Sequence, residues 1–211
     1  VAAGEGANHA AAVAPYLDEA TILVARVDMS RVDVDAAVAM LSEFLPSDGG
    51  AKQPITAASF VAKAWLSGFQ NSGGQDVYAA ISVSDIGHRG GPSAPVFLVV
   101  PLAEKSNLAA MKMAIPTNQE PEYPLQAAER IPADGPLVFG SQATLERLKR
   151  QSAKRQSVQA DLADAFEAVD ESAVQIVFTP TDDQRRVLRE MFPKLPKPLD
   201  AIDGPMLADG M

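Results

Sequence analysis

The chain has 211 residues, with 18 basic against 27 acidic side chains, a formal net charge of −9 and no cysteine. Apolar residues make up 47% of it, an ordinary globular composition that can bury a real core. The acidic balance repels phosphate backbones and disfavours a nucleic-acid role, and the lack of thiols excludes disulfides, thiolate zinc sites and cysteine nucleophiles.

Residues 1–14 are rich in Ala and Gly and begin with Val1. They read as the tail of a removed leader or as an artificial boundary, and a flexible N-terminal arm is expected. Thr21–Met29 is an almost unbroken apolar run of strand length. Ser30–Asp33 interrupts it, and Asp33 is placed to cap a helix whose inward face carries Val34, Ala37, Val38, Leu41, Phe44 and Leu45 before Pro46. After the turn cluster Ser47–Gly50, Thr56 is expected to cap a second helix. Its apolar stripe is Phe60, Val61, Ala64, Trp65, Gly68 and Phe69, with Trp65 as a core anchor and Gly73–Gly74 as the stop. Val77–Val83 and Pro95–Leu102 read as strands joined by a long connection, Ser84–Ala94. Ser106 caps a short helix with Leu108, Met111 and Ile115 inward. Leu125–Ile131 and Leu137–Gly140 form a strand pair around the turn Pro132–Pro136. Helices follow from Ser141 to about Ala153 and from Ser157 to Val169, then the strand Ala173–Thr179. Thr181–Gln184 is a capping box for a last helix with Val187, Leu188, Met191 and Leu195 inward.

This order predicts an α+β fold with an antiparallel-rich sheet and helices on one face. It begins as a ferredoxin-like β-α-β-β-α-β unit whose first crossover is split into two helices. The division expected is an arm over 1–14, the ferredoxin-like unit over 15–136, a second strand–helix unit over 137–198 and a tail over 199–211. Ala173–Pro196 repeats the grammar of Thr21–Pro46, so the second unit reads as incomplete and packed on the first. Its strand is expected to join the first sheet, because a bare apolar edge invites aggregation.

Chemistry is sparse. The glycine-loosened loop Asp85-Ile-Gly-His-Arg-Gly-Gly91 makes Asp85, His88 and Arg89 the candidate ligand-binding residues. Ser82, Ser84 or Ser93 beside His88 would be the parts of a hydrolase dyad, against the plainer reading of a solvated hairpin tip. One histidine and one carboxylate do not make a metal site, the glycine spacing matches no nucleotide motif, and no catalytic residue, metal or cofactor is expected. Arg147, Lys149, Arg150, Lys154 and Arg155 form the one basic concentration. They are candidates for docking an anion or an acidic partner, or simply a solvated helix face. No apolar run approaches the roughly 20 residues of a membrane span.

Two segments, Gly135–Leu148 and Asp161–Val169 with the strand after it, resemble a group of uncharacterised exported bacterial proteins built from repeated strand–helix units. The resemblance implies an extracytoplasmic location and carries no catalytic residues. The expected function is a non-catalytic extracytoplasmic module that acts by surface recognition or assembly on a protein or polymer partner. The competing expectation is a hydrolase using the loop around His88.

Overall fold

A computed structural model describes residues 5–44, 52–85, 96–120, 123–152, 160–168 and 172–178, together with 183, 185 and 186. The strands are β1 (Thr21–Asp28), β2 (Asp76–Ser82), β3 (Val96–Val100), β4 (Ala127–Arg130), β5 (Leu137–Gly140) and β6 (Val174–Phe178). The helices are α1 (Glu5–Val13), α2 (Val34–Phe44), α3 (Lys52–Asn71), α4 (Leu108–Ala114), α5 (Gln142–Ser152) and α6 (Ala160–Ala168). All six strands join one antiparallel sheet in the order β4-β5-β3-β2-β1-β6.

That order corrects the ferredoxin-like expectation. A single crossover helix would leave β1 and β2 parallel, with another strand between them. Here two helices, α2 and α3, carry the chain out and back to the end of the sheet it left. Asp76 therefore sits opposite Asp28, and β2 pairs directly with β1. The pair of strands read around Pro132–Pro136 is a true hairpin, β4–β5, so the unit boundary drawn at 136/137 passes through it. β6 does join the sheet beside β1, as expected, with Val24 opposite Val177 and Ala25 opposite Ile176.

Helices lie on both faces rather than one, because the central strands are apolar on both sides. On one face Val24, Tyr78, Ala80, Phe97, Val99 and Val138 pack against Ala10 and Val13 of α1, Leu145 and Leu148 of α5, and Leu162 and Phe166 of α6. On the other, Val77, Val100, Leu137 and Phe139 meet Leu66 and Phe69 of α3 and Met111 of α4. The arm is corrected too. Residues 5–13 are helical and Ala10 and Val13 are fully buried, the alanine letting α1 approach α6 closely. Tyr16 follows in a 3-10 turn and donates from its buried hydroxyl to the carbonyl of Ile131, which precedes a cis proline. Burial, and then the charge of Asp134, push its phenol up to about 12.

The caps show how local sequence sets these elements. Asp33 accepts from the N–H groups of Asp35 and Ala36, and Ser141 accepts from that of Thr144, so both helix starts were legible. Asn107, not Ser106, caps α4 by accepting from Ala110. The start of α3 at Lys52 lies one turn before Thr56. α3 stops where Gly73 takes a positive φ of 93°, and Gly74 lies so close to the Phe69 ring that a Cβ would stand 2.2 Å from it.

Phe166 links the sheet to α6 and meets Tyr78 edge-on at 6.2 Å. Phe166→Ala should cost about 3–5 kcal/mol, read as a lower urea midpoint at constant slope. A loss under about 1 kcal/mol would show that the site collapses around the smaller side chain.

Candidate functional site

At 20 residues α3 is about 30 Å long, and among its described side chains those of the C-terminal turns, Leu66 and Phe69, rest on the sheet. The stripe read as a core face exists, but it looks outward. Phe60 is 76% exposed, Val61 65% and Trp65 39%, whereas the buried positions are Leu66 and Phe69. At about 100° per residue, Phe60, Ala64, Gly68, Val61 and Trp65 share one arc of the helix, and Phe69 alone carries that arc into the core. Trp65 is thus a rim residue rather than a core anchor. Its ring stacks on Phe69 at 5.7 Å, and its indole N–H donates to the carbonyl of Ala114 at the end of α4. That bond satisfies the polar edge of the ring and holds it against α4, where the neighbouring Met113 is 78% exposed. Lys63 pairs with Asp35 at 2.6 Å and ties α3 to α2, which carries the exposed Met40.

The second assembly is polar and lies at the sheet end where β1 finishes. Arg26 is 4% exposed on a face that is otherwise mostly apolar. Its Nε donates to Asp76 at 2.7 Å, one terminal nitrogen to Gln175 at 3.1 Å, and the other lies 3.5 Å from Asp28. Asp28 also accepts from the hydroxyl of Ser30 at 2.6 Å and its N–H at 2.9 Å, and pairs with Arg31 at 3.2 Å. Arg26, Asp28, Ser30, Arg31 and Asp76, with Asn8, His9 and Gln75, line a cavity of about 320 Å³. On α1, Nδ1 of His9 is 3.0 Å from the Tyr78 hydroxyl. Burial opposes ionisation of Asp28. The Ser30 hydrogen bonds and the charges of Arg26 and Arg31 outweigh it and hold the carboxyl below its ordinary value. Burial, with the charge of Asp76, pushes the Tyr78 phenol well up. A carboxylate so held is a poor proton acceptor, and the cluster acts as a clamp joining β1 to β2 and β6.

The residues picked out from sequence are not gathered into one site. Asp85 ends a 3-10 turn, Val83–Asp85, while His88 and Arg89 lie outside the described residues. Arg147 turns inward, paired with Asp18 at 2.7 Å, bonded to Gln151 and set over the Phe97 ring at 5.7 Å. Lys149 pairs with Glu129 at 2.8 Å and Glu146 at 3.3 Å, and the Glu129 hydrogen bond chiefly raises its pKa. Arg150 is exposed, and Lys154 and Arg155 lie outside the described residues. Among the described residues no three His, Cys, Asp or Glu side chains form a metal-binding group, and no helix is long and apolar enough to cross a membrane.

No family model, curated protein or solved structure matches the chain.

Sequence reading missed both assemblies. The signal for the clamp was present: Arg26 and Asp28 alternate with Ala25 and Val27 in an otherwise apolar strand, which puts both charges on one sheet face. For α3 no local signal existed, because the stripe is genuine and only the extent of the sheet decides what covers it.

Two outcomes test the clamp. Arg26→Met should cost about 3–5 kcal/mol in urea unfolding, since it strands Asp76 and weakens the pairing of Asp28. A cost under about 1 kcal/mol would mean that water replaces the guanidinium. The depressed Asp28 pKa adds stability that is present above its unfolded value near pH 4 and is lost as pH falls through the lower folded value. Asp28→Asn should therefore flatten the acid limb of the stability–pH curve, and an unchanged limb would assign that limb to other carboxylates.

Proposed function

We propose that this protein is a non-catalytic recognition module working outside the cytoplasm, with the outer surface of α3 as the surface that meets a partner protein. The observation that carries this reading is the exposure of Phe60, Val61 and Trp65 on one arc, with Met113 beside them. Aromatic and Met side chains are what recognition surfaces enrich, and gathered apolar exposure marks interaction sites, whereas scattered single residues do not. Trp65 is pre-ordered by its bond to Ala114 and its stack on Phe69, so seating it against a partner costs little rotamer entropy. The cysteine-free composition suits an oxidising compartment, where unpaired thiols would misoxidise, and supports the extracytoplasmic part of the reading.

A photo-crosslinking residue in place of Val61 identifies the partner, and binding of the purified pair then tests the face. Phe60→Ala should weaken binding at least about tenfold. It should change folding stability by no more than about 0.5 kcal/mol, because the side chain is mostly in water. Equal binding by the variant removes α3 from the interface. Crosslinks confined to copies of this chain would turn the face into a self-association surface.

A further inference from the structure

The cavity over Arg26 has a lining whose charges cancel. Arg26 meets Asp76 at 2.7 Å and Arg31 meets Asp28 at 3.2 Å, so two guanidinium groups balance two carboxylates. A charged ligand would have to break one of these pairs and strand its partner, whereas a neutral one leaves both intact. The groups with hydrogen-bonding capacity to spare lie around that floor. Asp76 spends Oδ1 on Arg26, and its side chain is 19% exposed, which leaves Oδ2 as an acceptor. Asn8 on α1 and Gln75 before β2 are exposed at the rim. Among the described residues their side-chain amides bond to no other group. Each amide offers two donors and an acceptor.

We propose that this cavity binds a neutral, hydroxyl-rich ligand of the sugar class, with Asp76, Asn8 and Gln75 as its hydrogen-bonding partners. A sugar hydroxyl both donates and accepts, so neighbouring hydroxyls on one ring can give to the carboxylate oxygen and trade bonds with the two amides. At about 320 Å³ the cavity is at the small end of ligand pockets and suits one ring. Arg26 ties its floor to β2 and β6, so the site stands on rigid elements. A second cavity, of about 420 Å³, shares Ser30 and Arg31 with the first and extends to Ser67 and Gln70 on α3. Its lining again balances two cations, Arg31 and Lys63, against Asp33 and Asp35, so the next ring of a glycan chain would meet the same neutral, polar character. Among the described residues no Phe, Tyr or Trp lines either cavity, so the affinity expected for a single ring is about 1 mM.

Titration of the isotope-labelled full chain with glucose, galactose and N-acetylglucosamine tests this, read at the side-chain amides of Asn8 and Gln75 and at the Nε–H of Arg26. At least one of the three should shift these signals saturably, with a midpoint near about 1 mM. Glucuronate, and glucosamine at about pH 6 where its amine is protonated, should bind at least about fivefold more weakly than the best neutral sugar. The double variant Asn8→Ala with Gln75→Ala should lose at least about fivefold in affinity at an unchanged urea midpoint, because both side chains are exposed. Cellobiose separates the two sources of such a ligand. Added shifts at Ser67 and Gln70 assign a glycan chain, and shifts confined to the first cavity assign a free sugar. The inference is overturned if none of the three neutral sugars saturates by about 50 mM. Tighter binding of a charged sugar or of the zwitterion alanine overturns it too, as does a double variant that binds as well as the parent.

Discussion

The buried guanidinium of Arg26 is the interaction on which the arrangement of the sheet turns. It lies on β1, the strand that receives β2 on one side and β6 on the other, and it bonds to Asp76 at the start of the first and Gln175 in the second. Those partners are 50 and 149 residues away in sequence. Burying a charge is expensive, and a fully apolar replacement of such a cluster can be as stable. Its value here lies in register. A slip of one residue would move Arg26 to the face where Val77, Leu66 and Phe69 pack, with no carboxylate to meet it, while Asp28 and Asp76 lost their counter-charge. The cluster thus fixes which side of β1 faces α1 and α6.

What the sequence made legible was whatever its neighbours in the chain decide. Asp33, Ser141, Gly73 and the turn Pro132–Pro136 act on groups within a few residues, and each marks an element end or turn that the structure contains. The six strands fall within a residue or two of where alternation or apolar runs placed them. Layering and strand order were not legible, because both depend on which faces meet. The run Thr21–Asp28 is apolar enough to be covered on both sides, and two helices were expected after it, yet nothing in them says that they run out and back rather than as one split crossover. That parity converts a parallel crossover into an antiparallel pair, and together with the placing of β5 between β3 and β4 it separates the observed order from a ferredoxin-like one. The N-terminal helix was missed for a related reason. Ala10 offers almost no hydrophobic signal of its own, and its use is to let two backbones come close.

The candidate sites diverge from the sequence reading in the same manner. Arg147 looked like part of a basic surface because a one-dimensional count sees five cations together. In the fold its position on α5 turns it toward Asp18 and the Phe97 ring, while Lys149, two residues on, faces Glu129 of the neighbouring β4. On α3 the error ran the other way. A stripe of correct period was assigned to the core, although a helix of about 30 Å extends past the sheet that could bury it. Periodicity reports that a face is apolar. Only tertiary length decides whether that face is inside.

The two exposed apolar surfaces are physically different. On α3 every backbone group in the helix interior is bonded within the helix, so Phe60 and Val61 cost only the hydration of their side chains, and the face can stand open until a partner arrives. On β6 the side chains of Val174 and Ile176 are exposed on a strand that ends the sheet among the described residues. That combination recruits any extended chain, whether or not it is the right one. A surface of the first kind suits reversible recognition, and one of the second kind suits permanent cover. On the open face of α3, the indole N–H of Trp65, bonded to the carbonyl of Ala114, gives the ring order without closing the face.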